Sequence, residues 1–413
     1  MNMVSRLSLI SHRFIYLSRN KARFAKGTSY YVVDARRLWA FPVRRACARY
    51  NGALIRRKSP HLRDPHKSPR RMSSKLVHPF TVPPSPGETI ELREGVLWSR
   101  HQLPFALDHI NTWIIGDPSQ RTLVDSGISD GTTRAGWDTI LNTTGIENVE
   151  RVLITHYHPD HIGNADWLSQ KTNAPVWMSY SEFMMAHALV GGLEAQTTGA
   201  VGRLFNIHGL PPNLTEAVCA KGGHYPKLVE SLPPTFARLQ NNDHVTTGDT
   251  SWQVMTGSGH SPEHISLYST ERNTLISGDM LLPKITTNVA VWPASPDDNP
   301  LKEFLTSIDK FASLPEDTLV LPSHGLPFTG LHERISQLHA HHTDRLEQVL
   351  AACNSPKTAY DILPTLFNRE LDSYQLFFAM GEAVAHLNYL WHEGALSRDS
   401  NEKSSGVTQF VSR

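Results

Sequence analysis

The stretch Thr155–His161 reads THYHPDH, which places His156, His158, Asp160 and His161 within six residues. Imidazole nitrogens and carboxylate oxygens suit Zn²⁺ and other first-row cations. Residues two apart in an extended segment project to the same side, so His156 and His158 point together. Pro159 cannot continue a ladder and turns the chain. Asp160 and His161 then come round at the mouth of a helix. Three imidazoles and one carboxylate are too few to close two cation sites, so further donors must come from elsewhere. Three later segments each place one directly after an apolar run: His260 in VMTGSGHSPEH, Asp279 in TLISGDM and His324 in TLVLPSHG. A lone histidine after a strand is ordinarily a hydrogen-bonded loop residue. Four such elements in one order, at the strand ends where α/β folds collect their sites, point to a metal centre. His264, four residues past His260, reads either as an outer hydrogen-bond partner of a ligand or as a core histidine.

The elements that must position these residues follow a strand–turn–helix rhythm from about residue 80. TLVDSG (122–127) and RVLIT (151–155) read as buried strands, RAGWDTILNTTG (134–145) and IGNADWLSQKT (162–172) as helices. WQVMTG (252–257), ISLYS (265–269) and TLISG (274–278) are three close strands. LKEFLTSIDKFASL (301–314) is an amphipathic helix and TLVLP (318–322) a strand. Residues 181–245 look helical and loop-rich, an insertion that either walls a site or is a solvated connection. Leu331, Ile335, Leu338, His342, Leu346 and Val349 share one helical face. Two further helices follow, KTAYDILPTLF (357–367) and SYQLFFAMGEAVAHLNYLWHEG (373–394), and residues 401–413 read as a frayed tail.

The order LVDSG, THYHPDH, GSGHSPEH, SGDM, PSHG resembles the metallo-β-lactamase superfamily across about residues 90–330. The resemblance implies an α/β fold, a four-layer αβ/βα sandwich with two divalent ions at one edge of its sheets. Zn²⁺ is the first expectation, and Fe or Mn suits the same donors. It further implies that His156, His158 and His260 hold one ion, that Asp160, His161 and His324 hold the other, and that Asp279 bridges them. Asp160 and Asp279 would be the catalytic carboxylates, and Asp125 would steady the histidine loop. The C-terminal helices resemble a small winged-helix-like appendage of the β-lactamase-like endoribonuclease subgroup. From 357 to 399 that unit sets Lys357, Arg369 and Arg398 against six acids, so it reads as a packing element and not as a DNA reader.

Two ions sharing a water would lower its pKa to about 7, and the reaction class is hydrolysis. No G-x-S-x-G element is present to supply a serine nucleophile. A small acyl compound, a thioester, ester or lactone, is the expected substrate, since GHSPEHISLY is similar to the glyoxalase II branch. Lys221, Tyr225, Asn288 and Trp292 are the candidate substrate contacts. An endoribonuclease or other phosphodiesterase and an iron-dependent oxidoreductase on the same fold are the alternatives. Charge bears on the first. Residues 1–75 carry 19 Lys and Arg against two acids, whereas the rest carries 21 against 37, a net of −16. Nucleic-acid affinity is chiefly phosphate neutralisation, so the acidic body disfavours a nucleic-acid partner. The basic segment is a transit peptide, a solvated arm, or a stretch before a true start at Met72. The corresponding expectation is a cytoplasmic enzyme, or a mitochondrial-matrix one if the segment is a transit peptide. Cys47, Cys219 and Cys353 lack any C-x-x-C spacing, which excludes a thiolate zinc site. No apolar run is long enough for a membrane span.

Overall fold

The computed structural model describes residues 76–143, 146, 148–194, 197–221, 225–400 and 406–413. The basic segment 1–75 lies outside the described residues. Its successor is already part of the fold: Val77 bridges Thr329, and the His78 ring meets the Pro327 carbonyl.

Seven strands form the first sheet, in sequence order: β1 (Ile90–Arg93), β2 (Val96–Gln102), β3 (His109–Ile115), β4 (Arg121–Val124), β5 (Val149–Leu153), β6 (Val176–Met178) and β7 (Ala237–Arg238). The β1–β4 run is antiparallel and β4–β7 parallel. The parallel pairs need crossovers. These are α1 (Gly131–Thr143), then α2 (Pro159–Ile162) with α3 (Ala165–Thr172), then the segment from α4 (Tyr180–Val190) through α5 (Thr198–Ile207), α6 (Pro212–Lys221) and α7 (Tyr225–Leu228). The second sheet runs β12 (Leu319–Pro322), β11 (Thr274–Gly278), β10 (His264–Ser269), β9 (Thr250–Gly257), β8 (His244–Thr247). Only its β11–β12 pair is parallel, and α8 (Pro300–Asp309) lies between those strands in sequence.

Three apolar layers make the four-layer sandwich. Trp98, Trp113, Val124 and Leu153 of the first sheet face Trp252, Val254, Ile265, Ile276 and Leu321 of the second. Trp137, Ile140, Leu168 and Ala186 cover the outer face of the first sheet. On the outer face of the second, Leu275 and Val320 meet Phe304 and Ile308 of α8, and then α9 (Leu331–Ala352) and α11 (Ser373–His392). The predicted α9 face is buried at all six positions.

Two readings change. Segment 181–245 is not a solvated connection. Val201, Leu204, Phe205, Leu210 and Val218 sit in the same core as the C-terminal helices, and β7 completes a sheet. The tail is not frayed over its described part. Thr408–Ser412 forms β14, antiparallel to β13 (Leu396–Ser400), because alternation in TQFVS turns Phe410 into the core beside Leu396. Among the described residues, no helix is long and apolar enough to cross a membrane.

Within this core His342 (α9) and His386 (α11) lie 5.7 Å apart, ring centre to ring centre, beneath Phe304. Neither nitrogen of His342, nor Nε2 of His386, has a partner among the described residues. His339, His341, Arg345 and Glu382 are the ionisable groups around them. Burial lowers His342 to about 3 and His386 to about 4. An unfolded chain takes up these protons near pH 6.5, before the folded one. Stability is therefore full above pH 6.5 and falls toward pH 4, by up to about 1.4 kcal/mol per pH unit for each histidine. Thermal midpoints across that range should show the fall, and His342→Leu should flatten it.

Candidate metal centre

All seven donors come together at one end of the sheets. His156, His158, His260 and Asp279 form one group and Asp160, His161 and His324 another, each with its donor atoms within 4.8 Å of one another. Asp279 faces both: Oδ2 lies 3.3 Å from His260 Nε2, while Oδ1 lies 3.4 Å from His324 Nε2 and 3.7 Å from His161 Nε2. Asp160 Oδ2 stands 3.4 Å from His324 Nε2 and 3.6 Å from His161 Nε2.

Local sequence explains each placement. Pro159 opens α2 at the position where its missing N–H costs nothing, so Asp160 and His161 fall on the first helical turn. Asp125 sits directly after β4 in a left-handed conformation, φ +64°, that an aspartate tolerates. Its carboxylate accepts from the Thr155 amide at 2.8 Å, from the Thr155 hydroxyl, and from His161 Nδ1 at 2.8 Å. Asp125 thus ties the start of the histidine loop to the His161 ring. His264 Nε2 accepts the Asp279 amide at 3.1 Å, so it steadies the bridging carboxylate through its backbone. Gly278 makes room for that ring, since any Cβ there would strike it.

The outward nitrogens of His156, His161, His260 and His324 are engaged. His260 Nδ1 donates to the Asn288 carbonyl at 2.8 Å and His324 Nδ1 to the His109 carbonyl at 2.7 Å, while His156 Nδ1 meets the Thr155 hydroxyl at 3.1 Å. These bonds leave the Nε2 atoms of those four rings aimed inward, whereas His158 turns its Nδ1 to the same place. His156 Nε2 lies 2.8 Å from His158 Nδ1 and 3.2 Å from His260 Nε2. His161 Nε2, His324 Nε2 and Asp279 Oδ1 are buried with no hydrogen-bond partner. Buried polar atoms are almost always satisfied, so three orphans converging on one spot fit a cation. Electrostatics agree. Burial lowers His161, but Asp125, Asp160 and Asp279 outweigh it and raise the ring to about 10. Burial opposes ionisation of Asp160, yet His161 and His324 hold it down at about 2. Burial drives His158 down to about 3.

Three supporting residues escaped the sequence reading. Glu182 on α4 is fully buried and clamps two ligand loops together. Its carboxylate accepts from the Tyr157 amide at 3.0 Å, the Ser261 hydroxyl at 2.7 Å and the Glu263 amide at 2.6 Å. Burial pushes it up to about 7 despite those bonds. Asn111, inside the otherwise apolar strand β3, donates to the carbonyls of Pro322 and Gly325 on either side of His324. His109 offers its carbonyl to His324 and accepts the Gly325 amide at its Nε2. A charged residue in the apolar helix YSEFMMAHAL, and an asparagine in HINTWII, were the available signals.

Of the substrate candidates, Tyr225 is spent. Its hydroxyl donates to the Tyr157 carbonyl at 2.6 Å and braces the histidine loop. The Lys221 side chain lies outside the described residues. Asn288 stands beside the centre through its carbonyl, and its side-chain oxygen is buried without a partner. Trp292 packs on Phe377.

A fold with helices outside two facing sheets, and this donor set at their edge, defines a class. The chain belongs to the metallo-β-lactamase superfamily, whose description matches residues 106–324. A metallo-β-lactamase-like C-terminal domain matches 346–413. The crystal structure of a β-lactamase domain protein from Burkholderia ambifaria is 41% identical, with a TM-score of 0.75, covering 82% of this chain and 98% of that one. A probable metallo-hydrolase of Bacillus subtilis is 24% identical over 74% of this chain and 94% of its own length. An atrochrysone carboxyl ACP thioesterase of Aspergillus fumigatus is 24% identical over 66% of this chain and 73% of its own. The protein is a metal-dependent hydrolase by family and by kin.

Proposed function

We propose that this chain hydrolyses small acyl compounds, thioesters first among them, at a dinuclear centre. The carrying observation is the pair of donor groups with Asp279 facing both, three buried, partnerless donor atoms converging at the second. His156, His158 and His260 would hold one divalent ion, Asp160, His161 and His324 the second, and Asp279 both. Two ions held there supply Lewis acidity toward a carbonyl oxygen and toward water. The chain's own part is orientation. Asp125, Asn288 and His109 fix which nitrogen of each ring faces the centre, and Glu182 sets the distance between the two ligand loops. A thioesterase among the relatives supports the acyl reading. So does the −16 balance of residues 76–413, which offers successive phosphates little.

The test is elemental analysis of protein purified without added metal, followed by kcat/KM on a thioester, a lactone and a single-stranded RNA. Two ions per chain and preference for the thioester are expected. One ion or none in fully active protein would overturn the dinuclear reading. RNA cleaved far more efficiently than any acyl substrate would overturn the acyl one.

A further inference from the structure

An aromatic arc runs beside the centre, and neither the ligands nor their supports use it. Phe105 stacks on Tyr374, ring centres 6.2 Å apart and planes within 11°. Tyr374 meets Phe378 at 5.2 Å, Phe378 meets Phe377 at 5.2 Å, and Phe377 meets Trp292 at 5.3 Å. Both ends of the arc are tied to the metal centre. Phe105 is four residues before His109, whose carbonyl holds His324. Trp292 is four residues after Asn288, whose carbonyl holds His260. The middle comes from the first turns of α11, which is clamped to the same loop. The Val291 amide donates to the Gly381 carbonyl, and Asn388 donates to the carbonyls of Pro296 and Asp298.

None of the five rings is fully buried, and Tyr374 is 43% exposed. A row of partly exposed rings at the margin of a well-filled core is apolar surface of the kind that ligands use. Burial, and then the Asp160 carboxylate, raise the Tyr374 hydroxyl above its ordinary value. That hydroxyl therefore stands within the field of the second ligand group.

We infer that the arc of Phe105, Tyr374, Phe378, Phe377 and Trp292 is the acyl-binding wall, and that it selects substrates whose acyl group is a flat aromatic ring. This rests on the acyl-hydrolase reading above. Aromatic rings prefer offset or edge-on partners at centre distances of about 4.5–7 Å, the spacing at which the arc's own rings already stand. A small aliphatic acyl group would find no such partner. A nucleobase is the competing occupant, since bases also stack on aromatic faces.

The experiment compares the metal-loaded wild type with Phe378→Ala and Tyr374→Ala, substitutions at partly exposed positions that supply no donor to the centre. Substrates are phenylacetyl and acetyl thioesters of N-acetylcysteamine and a single-stranded RNA. Thermal midpoints report folding. The wild type should favour the phenylacetyl ester at least tenfold. Each variant should lose about tenfold in kcat/KM on it, chiefly through KM, with the acetyl ester changed by less than twofold. Equal losses on both esters, no loss, or an RNA cleavage that the variants abolish would overturn the inference. Saturation-transfer NMR with phenylacetate and acetate separates the two readings. Suppose no thioester is turned over, yet phenylacetate binds the wild type and not the variants. The acyl-hydrolase reading then falls and the aromatic wall stands. Failure of phenylacetate to bind the wild type overturns the wall.

Discussion

Asp279→Ala should reduce hydrolysis by about 10³-fold or more and strip the protein of at least one ion while leaving it folded. Asp279 alone among the seven donors turns one carboxylate oxygen toward each group. Its loss removes a donor from both and leaves His161 and His324 with one fewer counter-charge. The side chain lies at a loop after β11, outside the apolar layers, so circular dichroism should be unchanged. Elemental analysis beside kcat/KM reads the outcome. A variant retaining two ions and more than a tenth of the activity would show that Asp279 is not the bridge. Asp125→Asn is the graded comparison, expected to cost about 10- to 100-fold, because it perturbs a ligand histidine without removing a ligand.

Gly259→Ala is expected to be among the most destabilising single substitutions in the chain, although it adds one methyl group. Gly259 has φ +104°, which an L side chain rarely adopts, so strain arises before any collision. A Cβ there would also strike the Pro300 carbonyl and the backbone nitrogen and Cβ of Phe304, at the start of α8. Backbone at both ends leaves nothing to rotate aside. The loop is further fixed by the Ser258 amide donating to the Ser307 hydroxyl at 2.9 Å. The variant must push α8 off the sheet or displace His260, at a cost of about 3 kcal/mol or more. Thermal unfolding and metal content measured together would tell which. A midpoint within 2 °C of wild type with both ions retained would show that the loop yields freely. Gly131→Ala, with open space around it, is the control.

The seven donors were legible in the sequence because metal-binding side chains are few in kind and followed strand ends with little between. The α9 face was legible because its period is uninterrupted over six positions. What holds the donors was not. Asn111 reaches the Pro322 carbonyl across 211 residues, and Glu182 reaches Ser261 across 79. No local pattern encodes such partners. The acceptor of the Tyr225 hydroxyl, the Tyr157 carbonyl 68 residues away, was hidden for the same reason. Strand β14 was missed because TQFVS carries only two apolar residues, and its partner LSRDS reads as a turn.

Each donor group draws on both sheets: residues 156–161 follow β5 of the first, and His260, Asp279 and His324 follow strands of the second. Hydrogen bonds sew the same edge, among them the Ile265 amide to the Thr155 carbonyl at 2.9 Å and the Asn111 amide to the Ser323 carbonyl at 2.7 Å. The ions would therefore act as rivets through a joint as well as reagents. A chain cut in the exposed turn at Asn241–Asn242 becomes two fragments, each carrying an incomplete share of every site. Their attraction for one another should then be set by the free concentration of the divalent metal, rising with occupancy as any ligand-linked association must. The same riveting would make loss of metal a mechanical event, felt first as parting of the sheets at the edge that carries the donors.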